Sequence, residues 1–106
     1  MESCVKFSES ENILTATLDG EIDHHLAKIQ REEIDSMLFR KKPKELVLDF
    51  SSIRFMDSSG IGLIIGRVDV AERLGAKVRI AGLSPTLKKL VRLSGVSKLK
   101  NLTVDD

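Results

Sequence analysis

Alternating apolar and polar residues predict a β-hairpin at the start of the chain. Segments 3–7 and 13–18 are rich in apolar and β-branched residues, and the polar connector SESEN lies between them. In the second segment leucine and alanine alternate with threonine. We therefore expect one face of this strand to be buried and the other to be partly wet.

Three later segments have apolar residues at the spacing of amphipathic helices. We predict helices from His24 to Arg40, over 60–74, and over 84–95, where Ser84 is the N-cap and Gly95 ends the helix. In the second helix the residues expected to face the core are Ile61, Ile64, Ile65, Val68 and Leu74. The residues expected to face water are Arg67, Asp69, Glu72 and Arg73.

Short apolar strands separate the predicted helices. Segment 45–50 is almost continuously apolar, which is typical of a strand covered on both faces, and segments 76–82 and 99–104 are predicted to be further strands. A hairpin followed by alternating helices and strands indicates an α/β fold with a small mixed β-sheet. Because no linker interrupts the chain, we expect a single domain over residues 1–106.

The composition narrows the range of functions. The 106 residues carry a net charge of +1 and include neither Trp nor Tyr, which disfavours a nucleic-acid binder because base-stacking surfaces are usually aromatic. The single cysteine, Cys4, cannot form an internal disulfide or a cysteine-based zinc site. No segment has the character of a signal peptide or a membrane span, so we expect a cytoplasmic protein without a membrane partner.

The segment FMDSSGIGLIIG, residues 55–66, places polar residues directly before the second helix. Asp57, Ser58 and Ser59 are all favoured at N-caps, so this stretch is expected to start the helix. The same helix end suits a phosphate, because its N–H groups and roughly half a positive charge point outward. Two interpretations follow: a cap alone, or a cap beside a phosphoserine of about −1.5 to −2 charges.

Enzymatic interpretations of this segment meet chemical objections. A nucleophile elbow needs a glycine where Met56 stands, and both histidines, His24 and His25, lie upstream of the serines. Adjacent histidines point about 100° apart on a helix and do not converge on one metal ion. The glycines do not match a dinucleotide fingerprint, and we interpret Gly62 and Gly66 as close-packing positions. We expect no enzyme, no metal and no cofactor.

Asp23 in GEIDHH, residues 20–25, is predicted to cap the first helix. It lies where a strand gives way to a helix, as the serine segment does. If the sheet is wound regularly, the loops 19–25 and 51–60 open at the same edge and form one polar surface.

Three segments resemble the anti-sigma factor antagonists, which share the STAS domain with sulfate transporters. They are LDGEIDHH (18–25), LVLDFSSIRFMDSSGIGLIIGR (46–67) and LSPTLKKLVRLSGV (83–96), and they match that family in order and spacing. The paired histidine after Gly-Glu-Ile-Asp is most similar to the sporulation branch, the antagonists of the anti-sigma F factor.

The resemblance implies a STAS-like fold and a switch controlled by phosphorylation. The dephosphorylated protein would bind an anti-sigma factor that is also an ATP-dependent serine kinase, and so release a sigma factor. Phosphorylation of Ser58 would end binding, and a serine phosphatase would restore it; from the sequence alone, Ser59 is the alternative acceptor. The residues implied in partner binding are Asp23, Asp57, Ser58, Ser59, Gly60 and Ile61.

Other functions stay open at this point. The sigma factor served could belong to a stress response instead of sporulation. A receiver-like phospho-aspartate switch at Asp49 would lack the expected N-terminal acidic pair, and a hydrolase acting through Ser58 would lack a downstream histidine. A subunit that binds protein without switching is a further alternative. The basic cluster of Lys88, Lys89 and Arg92 is interpreted as a solvated helix face.

Overall fold

The computed structural model describes residues 5–105, so Cys4 and the first two residues of the predicted segment 3–7 lie outside the described residues. The strands within this range are β1 (Val5–Ser10), β2 (Ile13–Asp19), β3 (Glu45–Ser52), β4 (Lys77–Ala81) and β5 (Leu102–Val104). The helices are α1 (His24–Lys41), α2 (Ser58–Arg73), α3 (Pro85–Ser94) and a short 3₁₀ helix (Val96–Lys98).

The strands form one mixed sheet in the order β1-β2-β3-β4-β5, in which β1 and β2 are antiparallel and the remaining pairs are parallel. The register aligns Leu14, Leu46, Val78 and Leu102 in one row across the parallel strands, and all four side chains are buried. Because side chains alternate between the faces of a sheet, such rows form a continuous apolar face. The predicted α/β fold with a small mixed sheet is confirmed.

The hairpin differs from its predicted boundaries. Both strands are longer than expected, and a turn at Glu11 and Asn12, with φ of 49° and 69°, replaces the longer connector. Two consecutive positive φ angles give a turn whose twist matches that of the flanking strands. The polar residues of the expected connector continue β1 because their side chains are exposed at the edge of the sheet.

Helix α1 begins after Asp23 and ends one residue later than predicted. Its buried residues are Gln30, Ile34 and Leu38, whereas Ile29 and Met37 are only half-buried. The Gln30 amide reaches the core because its Nε2 donates a hydrogen bond to the Asp19 carbonyl oxygen at 3.1 Å. A hydrogen bond of this kind offsets much of the cost of burying an amide.

Helix α2 begins two residues earlier than predicted, and its faces differ from the expectation. Arg67 was expected in water but is 3% exposed, whereas Ile65 was expected in the core and is 47% exposed. The assignment of Gly62 and Gly66 to close-packing positions is also wrong, since a Cβ added at either meets nothing within 4 Å. A buried ion pair with α1, described below, explains why an arginine takes the inner position.

The last third of the chain follows the prediction for α3 and departs from it afterwards. The Ser84 hydroxyl accepts a hydrogen bond from the Leu87 N–H at 3.2 Å, and Gly95 ends the helix with a φ of 83°. Only the end of the predicted strand 99–104 is a strand, because residues 99–101 form a turn in which the Leu102 N–H donates to the Leu99 carbonyl oxygen at 3.2 Å. Within residues 5–105 no helix is both long enough and apolar enough to span a membrane.

Candidate functional site

Two loops meet at the carboxyl edge of the parallel strands. The Ile22 N–H donates to the Phe55 carbonyl oxygen at 3.0 Å, and the Asp57 N–H donates to the Ile22 carbonyl oxygen at 3.1 Å. Ile22 and Met56 form an isolated parallel bridge, and both side chains are buried. The expectation that the two loops open at the same edge is therefore confirmed, and backbone hydrogen bonds fix their relative position.

An aspartate caps the helix that follows each loop. Asp23 Oδ1 accepts from the Leu26 N–H at 2.8 Å, and Asp57 Oδ1 accepts from the Ser59 N–H at 2.7 Å. Each carboxylate satisfies an N–H that has no partner within its helix, and its negative charge suits the positive end of the helix. The two helix starts thus use the same chemistry on adjacent loops.

The residues after Asp57 occupy different environments. Ser58 is the first residue of α2 and is exposed, whereas Ser59 is half-buried. Gly60 is buried, and a Cβ at this position would lie 2.5 Å from the sulfur of Met56, so a side chain here would force Met56 to move. Ile61 is half-buried against the core. Of the two adjacent serines at the start of α2, Ser58 is therefore the more exposed.

An open groove of about 480 Å³ runs between α1 and α2 beside this loop. The α1 wall consists of His24, Ala27, Lys28 and Arg31. The α2 wall consists of Ser59, Gly62 and Leu63. Nothing in the sequence distinguishes these two cations from other charged helix residues, and only the packing of the two helices brings them beside Ser59.

Farther along the same two helices, a buried ion pair closes the interface. Arg67 Nε lies 2.7 Å from Asp35 Oδ1, and the arginine side chain is almost completely buried. Burial raises the pKa of the Asp35 carboxyl above its ordinary value of 3.8, although the charges of Arg67 and Arg31 oppose the rise. Burial likewise lowers the pKa of Arg67, and Asp35 opposes that change. Desolvation is the larger effect for both groups.

Within residues 5–105, Asp49 and the two histidines do not belong to a cluster of side chains that could bind a metal ion. Asp49 Oδ1 accepts a hydrogen bond from the Ser51 N–H at 3.0 Å, within strand β3. His24 and His25 are exposed at the start of α1. Among residues 5–105 no three His, Cys, Asp or Glu side chains converge in a way that could hold a metal ion.

Comparison with known proteins gives the same family over nearly the whole chain. The STAS domain family matches residues 5–105. The anti-sigma F factor antagonist of Paenibacillus polymyxa is 30% identical over 95 residues, which are 90% of this chain and 81% of that protein. The corresponding antagonist of Lysinibacillus sphaericus is 33% identical over 79 residues, 74% of this chain and 68% of that protein. The anti-sigma-B factor antagonist of Bacillus subtilis is 26% identical over 98 residues, which are 92% of this chain and 85% of that protein.

Solved structures agree with these relatives. The unphosphorylated form of the anti-sigma factor antagonist SpoIIAA matches with a TM-score of 0.73 and 25% identity, covering 96% of this chain and 87% of that one. The phosphorylated form of SpoIIAA, a Bacillus cell fate determinant, matches with a TM-score of 0.71 and 26% identity. The match covers 96% of this chain and 91% of that one. The chain belongs to the STAS domain family and, within it, to the anti-sigma factor antagonists.

Proposed function

We propose that this protein binds an anti-sigma factor that is also a serine kinase, and that phosphorylation of Ser58 ends the binding. In the unmodified state it would occupy the anti-sigma factor and release a sigma factor. A serine phosphatase would return the modified protein to its binding state. The relatives named above are anti-sigma factor antagonists, and the similar SpoIIAA structures include a phosphorylated form.

The observation that carries the proposal is the position of Ser58. It is exposed at the first residue of α2, on a loop that hydrogen-bonds to the loop bearing Asp23. A kinase can therefore reach the hydroxyl while contacting the second loop. Residues proposed to contact the partner are Asp23, Asp57, Ser58, Ser59 and Ile61, together with the backbone at Gly60.

Ser58 is the better acceptor of the two adjacent serines. Ser58 is exposed to water, whereas Ser59 is half-buried. A phosphate on Ser58 would lie at the end of α2 that favours negative charge, so the fold need not change to hold it. The surface changes instead, by about −1.5 to −2 charges next to Asp57.

In the transfer step this chain would be the substrate and would supply no catalytic group. The Ser58 hydroxyl oxygen forms a bond to the γ-phosphorus of ATP, the bond from that phosphorus to ADP breaks, and the kinase base takes the serine proton. The kinase also supplies Mg²⁺ and the positioning of ATP. Loss of binding then follows from the bulk and charge of the phosphate against the partner surface.

The proposal also covers the domain organisation of the protein, the sigma factor that it controls and its location in the cell. The family match over residues 5–105 supports a single domain over residues 1–106. The higher identity to anti-sigma F antagonists than to the anti-sigma-B antagonist favours a sporulation sigma factor over a stress-response one. We place the protein in the cytoplasm, where bacterial transcription takes place.

The test measures binding and phosphorylation with candidate anti-sigma kinases, in ADP and in ATP. We expect Ser58→Ala to bind in both nucleotides and to resist modification, and Ser58→Asp to bind at least tenfold more weakly than the wild type. Ser52→Ala, an exposed serine on the preceding strand, is the matched control and should behave as the wild type. Phosphorylation of Ser58→Ala at Ser59 would reverse the choice of acceptor, and equal binding by the alanine and aspartate variants would remove the charge mechanism.

A further inference from the structure

The groove between α1 and α2 has a basic wall without an acidic counterpart. Lys28 and Arg31 are three residues apart on α1, so they project from the same side of the helix. No Asp or Glu is among the residues that line the groove. Lys28 forms no ion pair with any residue between 5 and 105. Glu32, four residues after Lys28, is not among the lining residues, and Asp35, four residues after Arg31, is already paired with Arg67 at 2.7 Å.

The opposite wall leaves room for a ligand to approach the helix backbone. Gly62 is exposed in the second turn of α2, and a Cβ there would meet nothing within 4 Å. Glycine within a helix costs about 1 kcal/mol relative to alanine, and no packing contact at this position explains that cost. The bare backbone widens the groove opposite Lys28 and Arg31.

The lining also limits the class of ligand. It contains no Phe, Tyr or Trp on which a nucleic-acid base could stack, and its two full charges are both positive. An acidic polypeptide segment satisfies both conditions, because carboxylates pair with Lys and Arg and an extended backbone fits beside a glycine.

We propose that this groove binds an acidic, extended segment of the anti-sigma factor; the inference rests on the function proposed above. Ser59 lines the groove and is adjacent to Ser58, so the segment would lie beside the phosphorylation site. The loops present Asp23 and Asp57, whereas the groove presents Lys28 and Arg31. Neighbouring patches of opposite sign fix the orientation of a complementary partner.

An acidic segment bound in the groove would explain how a phosphate on Ser58 weakens binding. A phosphate on Ser58 would stand next to the bound acidic segment and would compete with it for the same cations. Binding would then fall because two negative groups share one basic groove.

The first arm of the test reverses a charge in the groove. With the unmodified protein and the anti-sigma factor, Lys28→Glu is expected to weaken binding at least tenfold, mainly through slower association at low salt. Lys89→Glu makes the same charge change on the exposed side of α3 and should stay within twofold of the wild type. Equal effects of the two variants would overturn the inference while leaving the proposed function intact.

The second arm fills the groove without changing charge. Gly62→Leu is expected to weaken binding at least tenfold with no loss of thermal stability, whereas Gly66→Leu, at the other open glycine of α2, should bind as the wild type. Wild-type strength in Gly62→Leu would contradict the inference.

The third arm does not depend on the anti-sigma factor, so it decides on the groove even if the wild type binds none of the candidates and the proposed function fails. An octaglutamate peptide is titrated into the ¹⁵N-labelled protein. The amide shifts should concentrate over residues 24–31 and 59–63, disappear in Lys28→Glu and persist in Lys89→Glu. Shifts centred on Lys88, Lys89 and Arg92, or groove shifts with oligothymidylate and none with the peptide, would overturn the inference.

Discussion

Charged residues lie in different environments at the two ends of the contact between α1 and α2. At one end Asp35 and Arg67 form a buried pair at 2.7 Å, and the helices close around it. At the other end Lys28 and Arg31 line an open groove that contains no carboxylate. The same two helices thus bury an ion pair at one end and leave exposed basic side chains at the other.

The difference separates a structural role from a binding role. The Asp35–Arg67 pair is costly to desolvate and is held by its own attraction, so its members are needed for the fold and are not available to a partner. Lys28 is exposed and forms no ion pair within residues 5–105. Mutations at the closed end should therefore change stability, and mutations at the open end should change binding.

The largest expected effect is at the closed end. Arg67→Ala should lower the free energy of unfolding by about 3 kcal/mol, because it leaves the partly buried Asp35 carboxylate without its partner and removes packed methylene groups. Urea unfolding measures the loss. Arg73→Ala is the control: it breaks the exposed pair with Asp69 and should cost less than about 0.5 kcal/mol. Similar losses in both variants would contradict the structural role of the closed end.

An intermediate effect is expected from the glycines of α2. Gly62→Ala should raise the free energy of unfolding by about 0.5–1 kcal/mol, since alanine favours the helix and its Cβ meets no atom. Gly60→Ala should act in the opposite direction, because its Cβ would lie 2.5 Å from the Met56 sulfur. Thermal unfolding of both variants checks the signs. A loss of stability in Gly62→Ala would mean that the groove wall is packed in solution.

The smallest expected effect is a change in pH dependence. The pKa of Asp35 is raised in the fold, mainly by burial, so the folded protein holds this proton more tightly than the unfolded chain. The contribution of this group to the free energy of unfolding is thus present at low pH and is lost as the pH rises through its folded pKa, above 3.8. In Asp35→Asn, stability should rise more steeply with pH over that range than in the wild type. Denaturant unfolding at several pH values measures the slopes, and identical slopes would contradict the raised pKa.

Much of the site could be predicted because its signals are local. An aspartate before an apolar helical segment identifies a cap from neighbouring residues alone, and both Asp23 and Asp57 take that role. The regular order of strands and helices also brought the two loops to one edge. The position of Ser58 at an exposed helix start follows from the same local chemistry.

The sequence by itself determined the elements, their caps and the family, because alternation, capping and motif spacing depend on residues close in the chain. Only the tertiary structure decided that Arg67 lies inside, that Ile65 lies outside and that Lys28 and Arg31 face the bare backbone at Gly62. These outcomes depend on how α1 and α2 pack together. A charged helix residue has the same chemistry whether it faces water or a neighbouring helix. Only the packing of that neighbour determines whether the residue is exposed or buried.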